Sequence, residues 1–248
     1  MKNEVHVLSV SATPIPRSLQ MSLVGLRDLS LIETAPKNRY PVQTYVISYN
    51  ELLIKESLEK EMYRGGQAFV LYNNIKDMDK ILNKLKKLLP DARVDYTHGQ
   101  TTKEKSEQTM KDFIDKKIDI LLTTTIIENG VDIPNANTII VLNAHNFGLS
   151  QLYQIRGRVG RSDKIAYAYF MYDERKVLTD LSRKRLEAIK EFTELGSGYK
   201  LSMRDLSIRG AGDILGREQA GFIDSVGIDL YLELVNEELN EKEEIEEK

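Results

Sequence analysis

The sequence predicts an α/β fold: a parallel sheet with helices on both faces, followed by a mostly helical hairpin extension. Three observations predict it. Short apolar, β-rich runs alternate with segments whose apolar residues recur at helical spacing, an amphipathic helix follows the last such run, and glycine then crowds into one late stretch. Alternation of strands and helices implies parallel β-α-β units with helices on both faces of the sheet.

Taken in order, residues 4–10 (EVHVLSV) read as a short buried strand that Pro14 and Pro16 forbid from continuing as a ladder. Four of the six prolines precede residue 42, so residues 12–43 read as a linker with a short helix around Leu19 to Gly25, and a boundary falls near Tyr40. Strands are expected at Tyr45 to Ser48, Gln67 to Tyr72, Arg93 to Tyr96, Ile118 to Thr123, Thr138 to Leu142 and Ala166 to Met171. Met78, Ile81, Leu82, Leu85, Leu88 and Leu89 predict a helix over 77–89; Met110, Phe113 and Ile114 face inward from a helix over 102–116; a third helix spans Gly148 to Arg156. Leu178 to Leu195 reads as an amphipathic helix stopped by Gly196 and Gly198. Beyond it, Gly210, Gly212, Gly216, Gly221 and Gly227 are too many for a regular helix and suggest a hairpin with a tight loop.

The 248 residues suffice for one large domain or two small ones. With no cysteine there is no disulfide, thiolate metal site or thiol nucleophile, which fits a reducing cytoplasm. No apolar run approaches the roughly 20 residues of a membrane span, so no membrane partner is expected. The net charge of -3 is concentrated in the last twelve residues, whose seven Glu and two Lys carry -5, so any nucleic-acid contact comes from a local basic surface. His6, His98 and His145 lack ligand spacing, and no metal site is expected.

The chemistry concentrates in QLYQIRGRVGRS, Gln151 to Ser162. Arg156, Arg158 and Arg161 crowd together with no acid among them and with Gly157 and Gly160 between. Such a cluster wants an anion, and guanidinium forks match phosphate oxygens in charge and geometry. At the carboxyl ends of parallel strands, where ligands sit in open sheets, two loops stand out: His98-Gly99-Gln100, and the hydroxyl-rich run from Thr123 to Pro134.

Gln154-x-x-Gly157-Arg158-x-x-Arg161 resembles the last motif of superfamily 2 helicases and translocases, whose motors have two RecA-like lobes. The resemblance implies a RecA-like sheet here, with Arg158 and Arg161 as catalytic fingers on the γ-phosphate of ATP and Gln154 in the nucleotide site. Ser11-Ala12-Thr13-Pro14 resembles the third motif, implying nucleic-acid coupling at Ser11 and Thr13. The loop after Thr123 resembles the fifth: Thr124 would bind a nucleic-acid phosphate, while Gly130 and Asp132 would line the nucleotide cleft. Asn73 falls where the fourth motif lies, and His98 and Gln100 are assigned to the nucleic-acid track. Asp173-Glu174 looks like the metal-binding acidic pair of an NTPase, but it follows the arginine motif instead of preceding Ser-Ala-Thr, so it reads as a helix start.

Arg209-Gly-Ala-Gly-Asp213 with Gln219 and Gly221 is similar to the translocation motif shared by RecG, a branched-DNA helicase, and the Mfd family of bacterial transcription-repair coupling factors, and the flanking segments 14–30 and 124–138 look closer to Mfd. The resemblance implies that Arg185, Arg209 and Gln219 organise a translocation hairpin acting on double-stranded DNA. It also implies four segments: 1–40 as the end of a first motor lobe with its linker, 41–175 as the second RecA-like lobe, 176–235 as the hairpin and 236–248 as an acidic tail. No G-x-x-x-x-G-K-[ST] phosphate loop occurs. The chain thus reads as the carboxyl-terminal part of a motor, inactive alone. ATP and its Mg2+ would be held with the first RecA-like lobe of the same protein, and RNA polymerase and excision-repair proteins would be met through other modules. A RecG-like branched-DNA helicase, a stand-alone DNA-binding module and a DEAD-box RNA helicase are the alternatives; the last lacks the glycine-rich hairpin.

Overall fold

The computed structural model describes residues 8, 10, 11, 29–32, 39–124 and 133–209. The chain divides into two compact units, 33–197 and 1–32 together with 198–248. Thr13, Gly130, Asp132, Gln219, the side chain of Arg209, the linker helix, the glycine-rich stretch and the acidic tail lie outside the described residues.

In the larger unit six strands form one all-parallel sheet: β1 (Gln43–Ser48), β2 (Gln67–Tyr72), β3 (Val94–Thr97), β4 (Ile120–Thr123), β5 (Ala136–Leu142) and β6 (Tyr167–Tyr172), in the order β1-β6-β5-β2-β4-β3. β2, β4 and β5 lie inside the sheet and are apolar almost throughout, as strands covered on both faces must be. The helices are α1 (Glu51–Tyr63), α2 (Met78–Leu88), α3 (Lys103–Ile114), α4 (Leu149–Arg156) and α5 (Asp180–Glu191), with α6 (Gly198–Arg209) in the other unit. Ile54 and Leu58 of α1 pack with Met78, Leu82 and Leu85 of α2 over Val70, Ile120, Leu122 and Ile140. On the opposite pleat, Phe69 of β2 meets Phe113 of α3 with ring centroids 5.0 Å apart. This is the α/β, RecA-like arrangement the alternation predicts.

The six expected strands and the expected helices over 77–89, 102–116, 148–156 and 178–195 stand within a few residues of their predicted positions. α1 is the element the periodicity does not reveal. Its buried stripe, Ile54, Ser57, Leu58 and Glu61, is half polar, so no apolar spacing advertises it. Local signals do: Asn50 caps it, accepting from Leu53 N at 3.1 Å, and Glu51 complements the first turn of the helix dipole. α1 is capped at Arg64 and the chain turns away at Gly65, whose φ of 73° lies in the left-handed region.

Two expectations meet a different outcome. Leu8 and Val10, expected in a buried strand, are 88% and 79% exposed, with no sheet to join among the described residues. Asp173 starts a turn instead of a helix, accepting from Arg175 N at 3.1 Å and Nε at 3.0 Å, and α5 begins only at Asp180 behind its cap Thr179. No helix among the described residues is long and apolar enough to cross a membrane, and no group of three or more His, Asp or Glu among them could hold a metal ion.

Candidate nucleotide and nucleic-acid sites

The carboxyl edge of the sheet gathers the residues assigned to a nucleic-acid track. Asn73 follows β2 and is exposed, whereas its neighbour Asn74 is consumed as a cap, accepting from Lys76 N at 3.1 Å and donating to Asp77 Oδ2 at 2.7 Å. His98 follows β3. Its backbone N–H donates to Thr101 Oγ1 at 3.1 Å, and its Nδ1 accepts from Gln100 N at 3.2 Å, which puts the proton of the neutral ring on Nε2. Tyr96 lies 5.7 Å from the His98 ring, and Lys105 sits over Tyr96 at 5.3 Å. Gln100 is exposed. Thr124 follows β4 and is only 6% exposed; Thr123 Oγ1 donates to its carbonyl at 3.2 Å. Ser11, in the other unit, is exposed.

The arginine turn lies at the opposite edge. α4 starts beyond the carboxyl end of β5 and runs back along the sheet, and Arg158 N bonds Ile155 O at 3.1 Å as the helix closes. Gly160 then packs under Val42 and Ala166, the residues just before β1 and β6, and Ser162 Oγ donates to Asn137 Oδ1 at 2.8 Å near the start of β5. Thr124 therefore stands at the carboxyl end of β4, and Ile133 just before the amino end of β5. A seven-residue parallel strand is about 20 Å long, so the two groups of residues are separated by the depth of the sheet.

Within the turn the three arginines differ. Arg158 and Arg161 are half-buried, and Arg161 Nε donates to Gly157 O at 3.1 Å. Arg156 was expected to share their anion, but it is 5% exposed and points into the protein: Nη1 donates to Ile189 O of α5 at 3.1 Å, and the guanidinium lies 5.0 Å from the Tyr153 ring. Burial holds its pKa below the usual arginine value, partly opposed by Tyr153. Charge counting along the sequence could not make this distinction, because it depends on where α5 returns. Gln154 is half-buried on α4. Arg185 is half-buried on α5, its Nε enclosed with no hydrogen-bond partner among the described residues.

The glycines also differ. Gly160 has φ 77°, and a Cβ there would meet Val42 Cγ2 at 3.0 Å and Ala166 Cβ at 3.3 Å, so it is glycine for backbone and packing reasons. At Gly157 a Cβ would make ordinary contacts, at 3.5 and 3.6 Å. Gly160→Ala is thus expected to cost about 2 kcal/mol and roughly 4–8 °C of melting midpoint, while Gly157→Ala leaves the midpoint nearly unchanged. Equal midpoints for the two variants in a thermal melt would contradict this reading of the turn. Asn137 and its bond to Ser162 escaped the sequence reading; the one signal was an amide inside the otherwise apolar and β-branched run of β5.

The parallel RecA-like sheet, with an arginine turn at one edge and polar strand-end loops at the other, has the fold of a helicase carboxyl-terminal domain. Residues 48–163 match the family described as helicase conserved C-terminal domain. Beyond that lobe, the chain is related over its whole length to the bacterial transcription-repair-coupling factors. It is 58% identical over 247 residues to the protein of Staphylococcus haemolyticus (strain JCSC1435) and 57% identical over 242 residues to that of Bacillus subtilis (strain 168), covering 100% and 98% of this chain respectively. It spans about a fifth of the length of those relatives, 21% in each case. Among solved structures, RecG bound to a three-way DNA junction matches with a TM-score of 0.67 and 34% identity over 84% of this chain and 27% of that one. The Mycobacterium smegmatis helicase Lhr, at 17% identity and a TM-score of 0.55 over 71% of this chain and 25% of its own, shares the fold.

Proposed function

We propose that this chain is the carboxyl-terminal motor lobe of an ATP-driven double-stranded DNA translocase, one that displaces stalled RNA polymerase and helps bring excision-repair proteins to the lesion in the bacterial cytoplasm. Segments 1–40, 41–175, 176–235 and 236–248 serve as linker from a first lobe, second lobe, translocation hairpin and acidic tail. The observation that supports the reading is that the arginine turn and the strand-end residues Asn73, His98, Gln100 and Thr124 lie at opposite edges of one sheet, which would let a single body engage nucleotide and DNA together. The similarity to transcription-repair-coupling factors supports the choice of motor.

In this reading Arg158 and Arg161 approach the γ-phosphate of ATP, with Gln154, Gly130 and Asp132 around the nucleotide. Two half-buried guanidiniums on a short helix-terminated turn fit an anion of high charge. ATP would supply the phosphoryl-transfer energy, and its Mg2+ would be held by the first lobe. Closure of the two lobes on ATP, and release after hydrolysis, is a hinge motion driven by contacts made only in the closed state. Thr124, His98, Gln100, Asn73, Ser11 and Thr13 hold a DNA strand by its backbone, a grip that carries no sequence information. Arg185, Arg209 and Gln219 shape the hairpin that pushes on the duplex.

The test compares the 248-residue chain with the full-length protein. The chain alone is expected to hydrolyse no ATP, because it has no phosphate loop; the full-length protein hydrolyses it in a DNA-stimulated way and displaces a stalled polymerase. His98→Ala in the full-length protein should raise the DNA concentration needed for half-maximal stimulation by about tenfold, a loss on the order of 1.4 kcal/mol, and leave the KM for ATP unchanged. Hydrolysis by the chain alone, or a full-length protein that ignores DNA, would refute the proposal. The likeness to RecG favours a second reading, a branched-DNA helicase, which predicts regression of forked DNA and no polymerase displacement.

A further inference from the structure

We propose that Arg156 is a positioning residue that ties the turn carrying Arg158 and Arg161 to the carboxyl end of α5, so that movement of the turn is delivered to that helix. The inference rests on the functional reading above and assigns to one side chain the step from nucleotide site to hairpin.

Arg156 is the last residue of α4, and the backbone beyond it has little slack: Arg158 N bonds Ile155 O at 3.1 Å and Val159 N bonds Arg156 O at 3.3 Å. Its side chain leaves in the other direction, Nη1 donating to Ile189 O at 3.1 Å. Ile189 O is one of the last four carbonyls of α5, which an α-helix cannot satisfy internally. The donor that a continuing helix would supply, Thr193 N, bonds Glu191 O at 3.1 Å instead, while Phe192 N closes on Ala188 O at 3.0 Å. Arg156 therefore acts as a C-cap supplied from another helix, with its positive charge at the negative end of the helix dipole. Tyr153, one turn back on α4, lies 5.0 Å from the guanidinium.

The contact is stiff because both partners are buried. An apolar side chain of equal length would fill this space without the cost of desolvating a charge, and a buried charge that loses its partner is strongly disfavoured. The turn and the end of α5 are thus bound to move together. At its other end α5 is fixed to the sheet by Ser182 Oγ, which donates to the carbonyl of His145, just past β5, at 3.1 Å. Displacement of the turn therefore loads one end of α5 while the other is held. The loaded end precedes Gly196, whose φ of 81° breaks the backbone before α6 begins.

The test uses the full-length protein and reads two quantities, ATP hydrolysed and stalled polymerase displaced from DNA. Arg156→Met is expected to leave the KM for ATP within about twofold and to lower displacement per ATP by at least about fivefold. Arg156→Lys, which keeps a charged donor of similar reach, recovers at least half of it. Hydrolysis and displacement falling in step, or a Lys variant no better than Met, would overturn the proposal. Hydrogen exchange on the wild-type protein tests the same claim without any variant. Binding of a non-hydrolysable ATP analogue should change exchange at the amides of residues 188–193 and leave those of α2 unchanged; no nucleotide-dependent change at the end of α5 would also overturn it. A wild-type protein that neither hydrolyses ATP nor displaces a stalled polymerase refutes the functional reading itself, whereas normal coupling in Arg156→Met refutes only this inference.

Discussion

Arg158→Ala and Arg161→Ala, each made in the full-length protein, are expected to lower DNA-stimulated ATP hydrolysis by at least about tenfold, and by as much as several powers of ten if each contributes as a finger does elsewhere. The charge on a transferred phosphoryl group is spread over its equatorial oxygens, and a fork of fixed geometry stabilises that charge better than it stabilises the ground state. Lysine at either position should therefore recover only part of the loss, since a point charge cannot bridge two oxygens. Folding should be unaffected, because both side chains are half-buried at a surface turn, unlike Arg156. The decisive readout is steady-state turnover at saturating DNA, with a thermal melt as control. Turnover near the wild-type rate in a folded variant would remove that arginine from the γ-phosphate. Loss of turnover together with a fall of many degrees in the melting midpoint would instead mark a structural residue.

How much of this was legible in the sequence depends on which physical signal each feature leaves in the chain. Strands such as β2, β4 and β5 are buried on both faces, so they are apolar over most of their length and stand within a few residues of where that run predicts them. α2 carries its core contacts on an unbroken stripe from Met78 to Leu88 and was equally plain. α1 was missed because its buried face includes Ser57 and Glu61, so burial and hydrophobicity diverge there. The arginine motif was legible as a pattern, but the pattern does not say which guanidinium faces outward. Arg156 and Arg158 are two residues apart and differ only in what the fold brings alongside: for Arg156, the end of a helix more than thirty positions away. Separation of the two sites across the sheet was hidden for a related reason. Motif order along the chain carries no information about which edge of the sheet a loop returns to, and α4 takes its arginines back to the edge where β5 begins.

Glu61 supplies the largest expected effect on stability. Its carboxylate is 1% exposed and accepts from Arg64 Nε at 3.0 Å, with further short bonds from Arg64 Nη2 and from Thr138 Oγ1 at the start of β5. Arg64 extends the connection, donating to Ile165 O at 2.7 Å and lying 5.4 Å from the Tyr167 ring at the start of β6. One carboxylate thus pins the end of α1 to two strands. Glu61→Ala leaves the Thr138 hydroxyl buried without its acceptor and Arg64 without its counter-ion, and removal of one member of such a pair costs about 3 kcal/mol. Glu61→Gln keeps the volume and one acceptor but turns an amide donor toward Arg64, so it should fall between Ala and wild type. Gly66→Ala should act through the same contact, because its Cβ would lie 1.7 Å from Glu61 Oε1 and force the carboxylate off its partners. Urea unfolding followed by circular dichroism reads all three variants as a lowered midpoint at unchanged slope. ATP turnover per folded molecule is read alongside, because Thr138 adjoins Asn137, which accepts from Ser162 at the end of the arginine turn. A Glu61→Ala cost below about 1 kcal/mol, the range of an exposed ion pair, would mean that water enters the cluster and that α1 is held by its apolar contacts alone.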